Sequence, residues 1–176
     1  CLAGQAARMA GSADGVGTDA QLWGPVGMAG TSDRSILYIA EYGGNAVRKV
    51  VVATGVVTTV ASGMLAANGL SLSIDEAILY VAAFSGHTIH QVTLSSGAVS
   101  VLAGSSSAGS ADGVGAAASF QYPADLALSS DGTSLYVTDE KAFKIRQVYL
   151  TSQPDGPNDP VWHCLSGASC YEFSST

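Results

Sequence analysis

The side chains in this 176-residue chain best suited to hold a metal, attack a carbonyl or move a proton are few: His87, His90, His163, Cys1, Cys164, Cys170 and a scatter of carboxylates. Their spacing argues against each of these chemistries. His87 and His90 are three residues apart, which on a strand sends them to opposite faces, so a metal would need ligands from elsewhere. The cysteines match neither zinc-ribbon pairs nor a redox pair. All three are disulfide candidates: Cys164 and Cys170 are close enough for a small loop, which leaves Cys1 free or bonded outside this segment, and the plain alternative is buried, idle thiols. Asp14, Asp33, Asp75, Asp112 and Asp131 stand beside Gly, Arg or Glu in turn-like words, where an Asp side chain bonds its own backbone. There is no G-x-S-x-G elbow, phosphate loop or H-E-x-x-H. The expectation is no catalytic, cofactor-binding or metal-binding residue within the chain. Arg48 and Arg146 remain, and for them a hydrogen bond to a neighbouring carbonyl is preferred to a role as ligand hooks.

The scaffold must therefore explain the residues. Apolar residues make up 47% of the chain and charged ones only 12%, a composition that buries a core. A net charge of −7, with no basic stripe, argues against nucleic acid as a partner. No apolar run reaches the 18 or more residues of a transmembrane helix. The longest greasy stretch, 47–61, contains Arg48, Lys49, three Thr and Gly55, and reads as two strands about a turn. No signal peptide is visible, and the chain opens on Cys1, as expected of a processed product or part of a longer polypeptide.

Three segments align: "SILYIAEYGGNAVRKV", "AILYVAAFSGHTIHQV" and "SLYVTDEKAFKIRQV". Their tyrosines, Tyr38, Tyr80 and Tyr136, are 42 and 56 residues apart. The longer interval holds the second copy of "SADGVG" (12–17 and 110–115), which thus recurs in register with the repeat. Each unit reads as four short β-rich runs joined by turns, and no amphipathic helix occurs. Four antiparallel strands in 40–50 residues make a propeller blade, stable only when neighbours cover its two faces. The small apolar inner runs at 26–29, 70–72 and 126–128 are expected to line the axis.

"YIAEYGGNAVRKV" followed by "GVVTTVAS", and "VLAGSSSAGSADGVGAAASFQYPADLAL", resemble the NHL-repeat family of β-propellers over about residues 2–150. Asn45, Arg48 and Val50 match that family's Asn-x-x-Arg-x-hydrophobic strand, and 144–146 match it in part. The second unit departs, with His87 and His90 in place of Asn45 and Arg48. The resemblance implies an all-β partial propeller or arc of four-stranded antiparallel blades at about 24–62, 68–104 and 122–167. Residues 1–4 would be the tail of a preceding blade and 168–176 a C-terminal tail, all within one segment, 1–176. "HCLSG" at 163–167 is taken as the end of the last outer strand.

In this reading "SADGVG" connects one blade to the next, with Asp14–Gly15 and Asp112–Gly113 supplying the turns. Asn45, Arg48 and Arg146 stabilise blades, and Glu41, Asp139 and Glu140 bond loop amides at the blade edge. Trp23, aligned with 120–122, packs between blades, while Trp162 stands outside the repeat. Some members of the resembled family are lyases or hydrolases with a metal held on the axis by His and carboxylates of the inner strands; here those strands offer only Asp125.

The function expected is a non-catalytic NHL-like module, extracellular or at the cell surface, for protein interaction or scaffolding. Its partners are other blades of a longer chain or further copies of itself, joined through open blade edges into a ring or filament; a lone arc would leave apolar faces bare. The alternative is a fragment of a propeller lyase or hydrolase whose active site lies on other blades. The Ser-rich run 104–110 is a candidate for O-linked sugar, with a flexible loop as the plain reading.

Overall fold

A computed structural model of the chain describes residues 2–4 and 11–150, and the backbone of 169–172. It is all-β, with three short 3-10 turns and no α-helix among the described residues. Blade one comprises β1 (Gly15–Val16), β2 (Pro25–Gly30), β3 (Ile36–Glu41), β4 (Ala46–Val51) and β5 (Val56–Ser62). Blade two comprises β6 (Ala67–Leu72), β7 (Ile78–Ala83), β8 (Thr88–Thr93) and β9 (Ala98–Ala103). Blade three comprises β10 (Gly113–Val114), β11 (Pro123–Leu128), β12 (Ser134–Asp139), β13 (Lys144–Tyr149) and β14 (Ser169–Glu172). All pairings are antiparallel, in the orders β1-β5-β4-β3-β2, β6-β7-β8-β9 and β10-β14-β13-β12-β11.

Two expectations need correction. Blades one and three have five strands, because the Gly-Val of each "SADGVG" word pairs with the outer strand of the blade that follows it, Gly15 opposite Val57 and Gly113 opposite Cys170. Blade three also ends later than 167. Its outer strand lies at Ser169–Glu172, inside the stretch assigned to a C-terminal tail, while 163–167 fall outside the described residues. The register accounts for this: Cys170 stands opposite Val148 as Val57 stands opposite Val50 and Val99 opposite Val92.

Side chains alternate across each sheet, and blade two uses both faces. Leu79, Val81 and Ala83 pack on Tyr38, Ala40 and Val47 of blade one. Tyr80, Ala82 and Ile89 pack on Phe120, Leu126, Leu135 and Val137 of blade three. The inner strands β2, β6 and β11 approach so closely that a Cβ on Gly27 would stand 2.1 Å from the Asn68 carbonyl oxygen, and one on Gly69 2.5 Å from the Asp125 Cα. Glycine there sets the spacing of the blades about the axis.

The hairpin between the first two long strands of each blade is held by one acid. The Asp33, Asp75 and Asp131 carboxylates each accept a hydroxyl hydrogen bond at 2.6 Å, from Thr31, Ser73 and Ser129, and a backbone N–H two residues on. Hydrogen bonds from Ser129 and Thr133 bring the Asp131 carboxyl down to about 2. These acids build turns.

Candidate functional site

The most constrained polar groups lie toward the outer half of blades one and three. Arg48 is fully buried in the middle of β4. Its Nη1 donates to the Gln21 carbonyl and to Glu41 Oε1, both at 2.9 Å. Its Nη2 donates to the Ala13 carbonyl at 3.1 Å and to Asp14 Oδ1 at 2.7 Å. Glu41, also fully buried, accepts from the Trp23 amide at 2.9 Å and from Ser12 Oγ at 3.0 Å. One guanidinium thus ties the "SADGVG" segment, the run into the inner strand and the second long strand together. The fork geometry of Arg suits this, because two carboxylates and two carbonyls are met at once.

Blade three repeats the arrangement. Arg146 donates to the Ser119 carbonyl (2.8 Å), Asp139 Oδ2 (3.3 Å), the Ala111 carbonyl (3.0 Å) and Asp112 Oδ1 (2.5 Å). Asp139 accepts from the Gln121 amide at 2.6 Å, and the Arg146 guanidinium lies 4.9 Å from the centre of the Phe120 ring. Burial raises the Asp139 carboxyl above its usual range, with the Gln121 amide and Arg146 pulling the other way. At Asp14 burial also raises, but hydrogen bonds from Thr59 and Arg48 outweigh it and the carboxyl sits low. The Nε atoms of both arginines are buried without a partner among the described residues.

Blade two lacks every part of this clamp. His90 replaces the arginine, Ala83 the acid, and the connection from β5 to β6 is too short to hold a "SADGVG" segment. The His90 Nε2 lies 2.9 Å from Thr88 Oγ1, while its buried Nδ1 has no partner among the described residues. Burial holds this imidazole below the usual histidine range. His87 is elsewhere, in a turn with φ 55°, and its Nδ1 accepts from the Tyr122 amide at 3.3 Å.

The remaining sequence candidates fall as follows. Asn45, with φ 52°, accepts the Ala66 amide at 2.7 Å through its side chain, joining a blade-one turn to the connection into blade two. Glu140 pairs with Lys141 at 2.6 Å on the surface; Asp139 is the counterpart of Glu41. Within 120–122 it is Gln121 that corresponds to Trp23, because both backbone N–H groups meet the clamp acid. The Trp23 ring lies against Gly43 of its own blade and is half-exposed, so packing between blades is corrected to packing within one. Between blades it is Tyr42, Phe84 and Tyr122 that form a row, with ring centres 5.9 and 4.9 Å apart. Cys1, Cys164, His163 and Trp162 lie outside the described residues, and Cys170 is described for its backbone alone. No three His, Cys, Asp or Glu side chains converge among the described residues, and Asp125 on β11 accepts its neighbour Leu126 amide at 2.9 Å. A cleft of about 410 Å³ between blades two and three holds Asp75 and Asp131, both committed to their turns.

Among the described residues, the two outer sheets each leave part of a face uncovered. On blade one Val26 and Met28 are bare, Met28 at 67% exposure; on blade three Tyr136 and Ile145 are, Ile145 at 52%. Tyr136 occupies the place that Tyr38 and Tyr80 fill inside the stack.

Sequence reasoning missed the carboxylate partners of the arginines. The signal was present: each arginine follows its clamp acid by 7 residues and its loop Asp by 34.

No family model and no curated protein matches the chain. Solved structures of β-propeller proteins do. An auxiliary nutrient binding protein from Bacteroides ovatus matches with a TM-score of 0.65 at 16% identity, over 88% of this chain and 37% of that one. Hydrazine synthase of Kuenenia stuttgartiensis gives 0.59 at 18%, over 82% and 35%. A nidogen/laminin complex gives 0.59 at 18%, over 73% and 44%. The chain thus spans less than half of each, and at these identities the likeness is one of fold: propeller blades. No helix among the described residues is long and apolar enough to cross a membrane.

Proposed function

We propose that this chain is an NHL-type propeller module that works without catalysis, as an interaction or scaffold unit outside the cell or at its surface. Its open blade faces are covered by further blades, supplied by copies of itself in a closed ring or a filament. One observation carries the reading: Met28 on one side, and Tyr136 and Ile145 on the other, are exposed at positions whose counterparts in the stack (Leu70 and Leu126, Tyr38 and Tyr80, Val47 and Ile89) are buried between blades. Large apolar side chains grouped on an uncovered sheet face mark an interaction site. Low charge and the many Ser, Thr and Gly residues support the extracellular setting, and the exposed serines of the run 104–110 (Ser105, Ser106, Ser107 and Ser110) would accept O-linked sugar there.

Light scattering behind a sizing column at micromolar concentration tests this. The expected mass is a multiple of 17.7 kDa. A compact, stable monomer would overturn self-association. The competing reading, a lyase or hydrolase completed by other blades, is tested by metal analysis of the intact protein and of its His90→Ala and Asp125→Ala variants: stoichiometric metal lost on substitution would favour it.

A further inference from the structure

Blade two is the one blade whose outer edge no strand covers among the described residues. In blade one β1 lies on that edge, Gly15 opposite Val57 and Val16 opposite Val56, and the fully buried Ala20 that follows it packs with Val57. In blade three β10 lies on it, followed by the fully buried Ala118. By register Val99 of blade two is the counterpart of Val57, and Val101 that of Thr59. Val57 is 1% exposed; Val99 is 38% and Val101 44%. The edge 98–101 carries neither Lys nor Pro, two of the devices that protect such strands. Beside it, His90 takes the register position of Arg48 and Arg146, the residues that meet the loop Asp in the other two blades, and its Nδ1 lacks a partner.

We propose that the outer edge of β9 binds an extended segment of a partner protein carrying Asp-Gly-Val followed by small residues, added as a fifth strand. The Gly-Val pairs with Ala98 and Val99 as β1 pairs with β5, and the main-chain hydrogen bonds give affinity. A small residue beyond it covers Val99 and Val101. His90 Nδ1 is sealed while the edge is empty, and on binding the ring turns from the Thr88 hydroxyl so that Nδ1–H donates to the Asp carboxylate. The site therefore selects an acid flanked by glycine and a β-branched residue. It does not depend on what covers the open faces of blades one and three, and it is occupied by a peptide strand rather than by a blade.

The probe is a labelled peptide of residues 11–20, "GSADGVGTDA", titrated into the folded chain and followed by anisotropy. Saturable binding with a Kd of about 10–100 μM is expected. Replacing the Asp that corresponds to Asp14 by Ala in the peptide should weaken it about 10-fold, and Val99→Lys or Val101→Lys in the protein should weaken it at least as much. Both valines are surface residues, so these variants keep the fold, which circular dichroism checks. His90→Arg should tighten binding several-fold, because the guanidinium fork replaces one ring N–H. No binding up to about 1 mM, or binding indifferent to Val99→Lys and Val101→Lys, overturns the proposal; the latter outcome would mean that the peptide displaces the chain's own segment in blade one.

Discussion

Arg48 and Arg146 are buried cations, and their surroundings decide whether they help or harm the fold. Removing one partner of a buried pair leaves the other charge without compensation, at about 3–5 kcal/mol. Arg48→Ala should therefore lower the unfolding free energy by roughly that amount in a denaturant titration, since Glu41 would be left sealed in the sheet. Replacing Arg48 by Met and Glu41 by Leu together should recover only part, because the Gln21 carbonyl, the Ala13 carbonyl and the Trp23 amide lose their partners as well. Arginine's bond to backbone was readable from the repeat. The partner acids were not, because Asp-Gly reads as a turn and the clamp joins residues 34 apart across a fifth strand that local periodicity does not show. The turn acids give a pH test. Asp131 has its carboxyl depressed to about 2, so its contribution is present above the unfolded value near 3.9 and is lost as pH falls toward 2. An NMR titration should place its midpoint near 2, and Ser129→Ala with Thr133→Ala should move it up toward 3.8, the unperturbed value. Asp139 runs the other way: burial raises it, so protonation in acid favours the folded chain at that one site.

At the scale of the element, "SADGVG" is a strand with an anchor. Its two-residue pairing is too short to hold by itself; the anchor is the loop Asp on a buried arginine. Asp112→Ala should speed amide exchange at Gly113 and Val114 while costing about 1 kcal/mol overall, since that carboxylate is partly in water and screened. The inner strands depend on glycine instead. Gly69→Ala would push a methyl into the Asp125 backbone, and thermal melts should show about 1–3 kcal/mol lost. The strands themselves were legible as runs of Ile, Leu, Val and Tyr between turn words, and so was the blade. The last outer strand was not: a Pro-rich stretch separates it from β13, and "HCLSG" offered a nearer match to the repeat than "SCYE" did.

For the whole molecule, blade two shows what a blade covered on both faces looks like. Leu79, Val81, Tyr80 and Ile89 are all covered because a sheet lies on each side of it. Blades one and three each have one such side. On blade one part of the open face is sealed by Ala3, Ala20 and Leu22, which pack around Val50 and Val57, yet Val26 and Met28 near the axis remain in water. Blade three presents Tyr136 and Ile145 without a comparable cover among the described residues. The two faces are unlike and are of the kinds that meet in the stack, so the proposed association would join blade three of one copy to blade one of the next. Sedimentation velocity over a range of micromolar concentrations, on the unaltered chain and on its Ile145→Lys and Met28→Lys variants, puts this to the test. The account predicts a concentration-dependent species heavier than 17.7 kDa that either lysine abolishes without unfolding the monomer. A sedimentation profile unchanged by both lysines, or a stable monomer of 17.7 kDa at every concentration, would contradict it.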